Sequence, residues 1–171
     1  MQSTHRRVAT LSLIVLVTIA LDQATKAIAS AVLPPYTISL LGDTVRLYLS
    51  ENVGAFLGLG STLSPELRFW LLIVASAGLL VGVALWLVLT PGLHRDVFVA
   101  LSCVAGGGLS NLVDRVLREG RVVDFLNVGI GRVRTGVFNV ADIAITFGAI
   151  YVVWAGLRRD ISGDTGADPQ Q

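Results

Sequence analysis

The apolar residues of this chain fall into four long blocks, separated by polar connections of unequal length. The blocks cover about 8–33, 69–89, 97–113 and 137–157. A helix needs ~20 mostly apolar residues to cross the ~30 Å hydrocarbon core of a bilayer, and each block is near that length. The pattern therefore predicts a mainly α-helical integral membrane protein with four transmembrane helices.

Two of the connections, 34–68 and 114–136, are long and contain β-strand patterns. Runs with strand-forming residues lie at 36–41, 45–49, 122–128 and 132–138, and the sequences Gly42-Asp43 and Gly129-Ile130-Gly131 fit hairpin turns. Because two spans separate these connections, both lie on one side of the membrane. We expect a small β-rich extramembrane cap there, on a single membrane domain formed by residues 1–160. The polar tail at 161–171 is predicted to be disordered.

Composition narrows the function classes. With 53% hydrophobic and 15% charged residues, the chain is too apolar for an ordinary soluble domain. A net charge of +1 gives no reason to expect a nucleic-acid partner. The single cysteine, Cys103, excludes an internal disulfide. Two histidines and one cysteine, without a His-Glu-x-x-His motif, also argue against a zinc site, so we predict no metal.

Three consecutive glycines, Gly106 to Gly108, stand inside the third block. A phosphate-binding loop would need a Lys-Ser/Thr pair after them, and none follows. In lipid, small residues let helix backbones approach closely, so we interpret the run as a helix-packing surface.

The polar residues that interrupt or border the apolar blocks all fall at one membrane face. They come from the end of the first span, the two long connections, the end of the third span and the start of the fourth: Asp22, Lys26, Asn52, Asn111, Arg115, Asp124, Asn139 and Asp142. Ionisable groups are costly at such depth and are by default functional candidates. Their shared face predicts a site.

Asp124 and Asp142 give that site a chemistry. Two carboxyl groups that meet can share one proton, which is the working state of an aspartic protease. The sequence therefore favours a membrane aspartyl peptidase. Asp22 and Lys26 lie one helical turn apart, and we interpret them as a structural ion pair that fixes the first span against the cap.

Five motifs in this order resemble the lipoprotein signal peptidases (signal peptidase II), a family of bacterial membrane aspartyl peptidases. They are DQATK at 22–26, NVGAF at 52–56, GGLSNLVDR at 107–115, VVDF at 122–125 and FNVAD at 138–142. The chain departs from the family at Ser110, where glycine is frequent. Serine is also small, so we expect close packing to survive.

The resemblance implies an activity and its residues. Family members remove the signal peptide from prolipoproteins, cutting before a cysteine that already carries a diacylglyceryl group. By this likeness Asp124 and Asp142 are the catalytic pair, one acting as base on a water and the other as acid. The implied partners are a diacylglyceryl prolipoprotein, membrane lipid and a cyclic depsipeptide inhibitor at the pair; no cofactor is implied.

Other residues are expected to bind substrate or support the pair: Asn52, Gly54, Asn111, Arg115, Asn139 and Ala141. Alternatives stay open for several of them. Asn139 can equally be a helix cap at the entry to the fourth span. Arg115 can instead pair with Asp114 or a lipid phosphate.

The distribution of basic residues predicts the orientation of the chain in the membrane only in part. The basic residues 5–7, Arg95 and 158–159 favour cytoplasmic termini, and the active site then lies near the outer face of the cytoplasmic (inner) membrane. The arginines in the long connections favour the opposite orientation, with those connections in the cytoplasm. The N-terminus also has features of a cleavable signal peptide, but Asp22 and Lys26 interrupt that pattern.

Three other functions compete with the peptidase. A small transporter would place its ionisable groups near the midplane rather than at one face, and a lipid-binding scaffold would leave the two aspartates without a role. A serine protease lacks a histidine base, because His94 lies at the far end of the third span, while a Ser110–Lys26 pair stays possible.

Overall fold

The computed structural model of the protein describes residues 4–54 and 60–163. Its helices are α1 (Thr4–Val32), α2 (Pro65–Arg68), α3 (Ser76–Leu89), α4 (Arg95–Leu117) and α5 (Val140–Gly163), and a π-helical segment, Phe69–Ala75, joins α2 to α3. The strands are β1 (Ile38–Leu40), β2 (Val45–Asn52), β3 (Val122–Ile130) and β4 (Val133–Arg134). Residues 55–56 of the NVGAF motif and 164–171 of the predicted tail lie outside the described residues.

Four helical stretches are long and apolar enough to cross a membrane, which confirms the predicted number of spans. They are Thr4–Val32, Pro65–Leu89, Arg95–Leu117 and Val140–Arg158. The helices differ from the predicted blocks at their ends. The first two begin four residues earlier, at Thr4 and Pro65. The third continues four residues beyond Val113, so Asp114 and Arg115 are helical, and the fourth begins at Val140 rather than at residue 137.

The end of α4 shows why the helix continues. Asp114 is only 1% exposed because it finds buried partners, so the carboxylate does not end the helix. Termination comes later, where Glu119 and Gly120 have φ of 56° and 87°. The Gly120 N–H donates to the Arg115 carbonyl oxygen at 2.7 Å. This is a Schellman-type ending, in which a left-handed residue turns the chain back over the last carbonyls.

The glycine run of α4 packs against three other helices, as the sequence predicted. A Cβ atom on Gly106 would meet Thr18 of α1 at 2.8 Å, and one on Gly108 would meet Leu80 of α3 at 2.8 Å. At Gly107 the obstacle is backbone, the Ala141 carbonyl oxygen of α5 at 2.6 Å. The run therefore places α4 in the centre of the bundle.

The far end of the bundle, away from the cap, is closed by an apolar cluster and one arginine. Leu11, Leu87 and Phe98 are buried together there. Arg7 is 6% exposed, and its guanidinium lies 4.9 Å from the centroid of the Phe98 ring. It donates to the Leu87 carbonyl oxygen, with Nε at 3.1 Å, and so caps the end of α3. A buried cation is satisfied here by ring and carbonyl groups.

The predicted cap is a four-stranded antiparallel sheet in the order β1-β2-β3-β4. The pairing of β2 with β3 slips by one residue, because Leu47 opposes Leu126 whereas Ser50 opposes Asp124. Such a β-bulge re-aims side chains and is frequent beside active sites. Simple alternation would put Leu47 and Ser50 on opposite faces, but the bulge puts both on the face of Asp124.

The last predicted strand, 132–138, is only partly formed. Val133–Arg134 pairs with β3, and Phe138 makes an isolated bridge to Leu126. The chain between them leaves the sheet to enter α5. Its entry is fixed by Asn139, whose Oδ1 accepts from the Asp142 N–H at 3.0 Å while its own N–H donates to Asp142 Oδ2 at 3.3 Å. This reciprocal capping box starts α5 at Val140.

Candidate active site

The structure brings Asp124 and Asp142, the aspartate pair, to one cavity. Asp124 stands on β3 and is 1% exposed, and Asp142 lies in the first turn of α5. Both line a cavity of about 250 Å³ between the cap and the helices. Its polar lining also includes Asn52, Asn111 and Arg115, and its apolar wall is formed by α3, α4 and α5 through Leu79, Leu80, Val104 and Ile145. The cavity thus joins a polar roof to an apolar, membrane-level wall.

Asn139 touches both members of the aspartate pair. Its Nδ2 donates to Asp124 Oδ1 at 2.6 Å, and its backbone N–H and Oδ1 form the capping box with Asp142. The side chain is fully buried. The predicted helix cap is therefore present, and the same side chain contacts both carboxylates.

A second amide, Asn111 on α4, supports the other carboxylate. Its Nδ2 donates to Asp142 Oδ1 at 3.0 Å. Its Oδ1 accepts from Asn139 Nδ2 at 3.2 Å and from Lys26 Nζ at 2.9 Å. Because Lys26 has only donors, it fixes the orientation of this amide, with oxygen toward the lysine and nitrogen toward Asp142.

Lys26 is the centre of a buried polar cluster behind the aspartate pair. Its ammonium contacts Asp22 Oδ2 at 2.7 Å and Asp114 Oδ2 at 2.9 Å, besides Asn111. Three acceptors thus match its three donors. The predicted Asp22–Lys26 ion pair exists, but its direct partners lie on α4 and α5 rather than on the cap, because the pair sits within the helix bundle.

Asp22 joins this cluster to the start of α5. Its Oδ1 accepts from the Ala141 backbone N–H at 2.8 Å, and its Oδ2 accepts from Ser110 Oγ at 2.7 Å. Ala141 therefore acts through its backbone and its small, fully buried side chain. Ser110 is also fully buried, and its hydroxyl is used by Asp22 and Gln23.

Asn52 and Arg115 line the cavity, and both hydrogen-bond to the backbone of Gly54. Asn52 Nδ2 donates to Asp124 Oδ2 at 3.0 Å, and its Oδ1 accepts from the Gly54 N–H at 2.9 Å. Arg115 donates through Nη2 to the Gly54 carbonyl oxygen at 2.9 Å. Among the residues that the structure describes, its buried Nε has no hydrogen-bond partner. Within residues 4–54 and 60–163, the site thus contains one strong donor without a partner.

Burial shapes the protonation of Asp124. Loss of solvent raises the pKa of this carboxyl group to about 6, and the nearby charge of Asp142 acts in the same direction, while the amides of Asn52 and Asn139 oppose the rise. A carboxyl group with such a pKa is suited to general acid–base chemistry near neutral pH.

Two residues of the buried cluster were missed in the sequence. Asp114, considered only as a partner of Arg115, instead contacts Lys26 and accepts from the Val123 N–H at 3.2 Å. Gln23 donates to Asp114 Oδ1 at 3.0 Å. The available signal was spacing, because Asp114 lies one turn after Ser110 and Asn111 on a helix that continues to Leu117.

The geometry does not support nucleophilic catalysis by Ser110 with Lys26 as its base. Ser110 donates its hydroxyl proton to Asp22, and Lys26 is held between two carboxylates, so the lysine is not placed as a base for the serine. Within residues 4–54 and 60–163, no group of three His, Cys, Asp or Glu side chains could hold a metal ion.

Comparisons with known proteins agree with this arrangement. Residues 14–158 match the family model described as Signal peptidase (SPase) II. The lipoprotein signal peptidase of Desulforapulum autotrophicum is 38% identical over 152 residues, 87% of this chain and 92% of that protein. The lipoprotein signal peptidase of Thermosynechococcus vestitus is also 38% identical, over 80% of this chain and 84% of that protein.

The fold matches solved structures as well. One, described as a bacterial membrane enzyme structure obtained by the in meso method, superposes with a TM-score of 0.76 at 26% identity, covering 95% of this chain and 94% of that one. A second with the same description gives a TM-score of 0.72 at 26% identity. The family resemblance and the predicted fold class, four membrane helices with a small antiparallel sheet, are confirmed. The chain is a multi-pass membrane protein that belongs to the signal peptidase II family.

Proposed function

We propose that this protein is an aspartyl endopeptidase that removes the signal peptide from diacylglyceryl prolipoproteins, cutting before the lipidated cysteine. The observation that carries the proposal is the position of Asn139, which contacts both Asp124 and Asp142 in one cavity. Two carboxyl groups held together by one amide side chain can share a single proton.

Catalysis needs only this pair and a water. The ionised carboxylate takes a proton from the water as its oxygen attacks the scissile carbonyl, and the protonated carboxyl donates to the carbonyl oxygen. The tetrahedral intermediate collapses when its C–N bond breaks: the leaving amine receives a proton from one aspartate, and a hydroxyl of the intermediate gives its proton to the other as the new carboxyl group forms. One water is consumed, one peptide bond is broken, and the pair returns to its singly protonated state. Because the proton is shared, neither aspartate is assigned one fixed role.

The cavity lining suits a substrate that is part peptide and part lipid. The free Nε donor of Arg115 would bind a substrate carbonyl, and Asn52 with Gly54 would hold an extended backbone beside Asp124. The apolar wall formed by α3, α4 and α5 would receive acyl chains from the bilayer. Membrane lipid and a prolipoprotein are thus the partners we propose.

The orientation in our proposal puts both termini in the cytoplasm and the aspartate pair near the outer face of the inner membrane. The basic residues at 5–7 in the first turn of α1, Arg95 at the start of α4 and the arginines at 158–159 near the end of α5 support it. A single cysteine at Ser61, in a Cys103→Ala background, would test it in intact spheroplasts. Failure to react with a membrane-impermeant maleimide, with reaction after lysis, would reverse the orientation.

The proposal is tested by a gel-shift cleavage assay on a purified diacylglyceryl prolipoprotein. We expect Asp124→Asn and Asp142→Asn each to lose activity by about 100-fold or more, because each removes a proton-transfer group. Cys103→Ala is the matched control within a span and should cleave normally.

The two failures of this assay are distinguishable. Cleavage by both asparagine variants would keep a peptidase but move its chemistry away from the pair. Absence of cleavage by a folded wild-type protein would favour a transporter or a lipid-binding scaffold instead.

A further inference from the structure

The two hairpins of the cap end side by side, at the end of the sheet away from Asp124. The Gly129 N–H donates to the Thr44 carbonyl oxygen at 2.9 Å, and Arg134 Nη1 donates to the Asp43 carbonyl oxygen at 2.7 Å. We call residues 40–44 and 130–133 the hairpin tip. These contacts make the two turns one unit.

The hairpin tip carries the most exposed large apolar side chains among the described residues. Val133 is 82% exposed, and Leu41 and Ile130 are each 80% exposed. The most exposed large apolar side chain of the described spans is Leu117, at 75%. Because this tip lies outside the spans, such exposure has no explanation in the fold itself.

Local backbone preference does not explain Leu41 either. Its φ is 50°, in the left-handed region where a Cβ atom is unfavourable and where glycine is the usual residue. The turn does contain a glycine, but it is the next residue, Gly42. A bulky apolar side chain is therefore held outward at a position that disfavours it.

The charges beside these side chains are mostly positive. Three arginines, Arg46, Arg132 and Arg134, accompany one carboxylate, Asp43. Arg46 forms a two-point ion pair with Asp43, at 2.6 Å and 2.7 Å, and Arg134 lies 3.7 Å from it. This leaves an excess of two positive charges, with Arg132 exposed in the turn.

The bilayer surface lies within reach of the hairpin tip. Val133 is seven residues before Val140, where the fourth span begins. An extended chain covers at most about 3.5 Å per residue, so the two are separated by no more than about 25 Å. The spans hold the cap permanently beside one leaflet. Apolar side chains ringed by cations are the composition of a surface that enters the headgroup region.

We propose that the hairpin tip inserts Leu41, Ile130 and Val133 into the boundary between headgroups and acyl chains, with Arg132 on a lipid phosphate. The sheet is then anchored at both ends, by the helices near Asp124 and by lipid at the tip. This attachment is independent of the reaction catalysed and of which leaflet the cap faces.

The test uses the full-length protein in lipid vesicles containing phosphatidylglycerol. An environment-sensitive fluorophore is placed at Leu41→Cys or, separately, at Val133→Cys, each in the Cys103→Ala background. Leu13→Cys, on the lipid-facing surface of α1, and Ser61→Cys, exposed in the other part of the cap, serve as references. Matching melting temperatures establish that every labelled variant is folded.

We expect the labels at Leu41 and Val133 to be quenched several-fold more by nitroxide lipids than by aqueous iodide, as at Leu13. Quenching by iodide to the degree seen at Ser61 would overturn the proposal. Protection from both quenchers would overturn it too, because the tip would then be covered by protein, such as a second copy of the chain. Arg132→Gln should reduce the lipid quenching, most strongly in vesicles that contain the anionic lipid, and unchanged quenching in both kinds of vesicle would overturn the phosphate contact.

Discussion

Folding moves the Asp124 carboxyl group away from water, and the pH dependence of stability follows from this single residue. Its pKa rises from 3.8 to about 6, so the folded protein keeps a proton that the unfolded chain has lost. The associated stability is complete below pH 4 and is lost as the pH rises through 6. It amounts to roughly 3 kcal/mol at most, at ~1.4 kcal/mol for each pH unit.

Asp124→Asn cannot ionise and should escape this loss. The melting temperature of the variant in detergent should therefore rise relative to wild type between pH 4 and pH 7. Asp43→Asn is a control of opposite sign, because the hydrogen bond from Arg46 lowers the pKa of Asp43. Its effect lies at lower pH: wild type gains stability as the pH rises toward 4, and the variant should lack this gain and then run parallel to wild type between pH 4 and pH 7. Parallel curves for Asp124→Asn and wild type would contradict the assigned environment.

Lys26 also yields a prediction at this scale. Lys26→Met would leave Asp22 and Asp114 buried without their shared cation, and breaking a buried ion pair costs ~3–5 kcal/mol. It would also free Asn111 to rotate away from Asp142. We expect a lower melting temperature and a loss of cleavage.

The double variant Lys26→Met/Asp114→Asn separates these two effects. It should recover part of the stability, because one unpaired charge is gone, but not the cleavage, because Asn111 is still not oriented. Full recovery of cleavage would mean that Lys26 acts only on stability.

At the scale of elements, Gly107 couples the packing of α4 and α5 to the site. Gly107→Ala would place a Cβ atom 2.6 Å from the Ala141 carbonyl oxygen, which is backbone and cannot rotate away. The helices must separate, and this would move Asn111 from Asp142. We expect lower stability and lower activity.

Gly78→Ala is the matched control, because a Cβ atom there meets nothing within 4 Å. In a helix this change should be neutral or stabilising by up to ~1 kcal/mol. Equal melting temperatures for the two variants would show that α4 and α5 are not in contact at Gly107.

The elements also show how far the sequence could predict this protein. Apolar block length gave the four spans, and hairpin residues gave the sheet, because both depend on local patterns. The bulge in β2 could not be found in this way. Alternation along the strand places Leu47 and Asn52 on opposite faces of the sheet, whereas the register shift between Leu47 and Ser50 puts both on the same face. Bulges depend on the partner strand, which a single strand does not specify.

At the scale of the molecule, the same contrast holds for the site. Counting spans placed the polar residues at one face, and the structure unites them in one cavity and the cluster behind it. Asp114 was missed because its role requires three elements at once: Lys26 on α1, α4 itself and the backbone of Val123 on β3. Contacts of that kind depend on assembly and leave no periodic signal.

The assembled cavity gives one further prediction, which depends on the proposed function. A cyclic depsipeptide inhibitor that occupies the aspartate pair should stabilise the protein, by ~2.7 kcal/mol at a concentration 100 times its Kd. A thermal shift in detergent measures this. Gly78→Ala should keep the shift and Asp142→Asn should reduce it, whereas no shift in wild type at saturation would argue against ligand binding at the pair.

The spacing of Asp22 and Lys26 has a consequence for how this protein enters the membrane. Both lie on α1, one turn apart, and Lys26 Nζ is 2.7 Å from Asp22 Oδ2. The first helix therefore carries its own counter-ion into lipid. An inserting α1 is neutral at that depth before any other span exists. Asp114 adds a negative charge only when α4 arrives, and it is then hydrogen-bonded by Gln23, already present on α1, and by the Val123 N–H of β3. The electrostatic cost therefore falls on helix assembly, after insertion of the first span is complete.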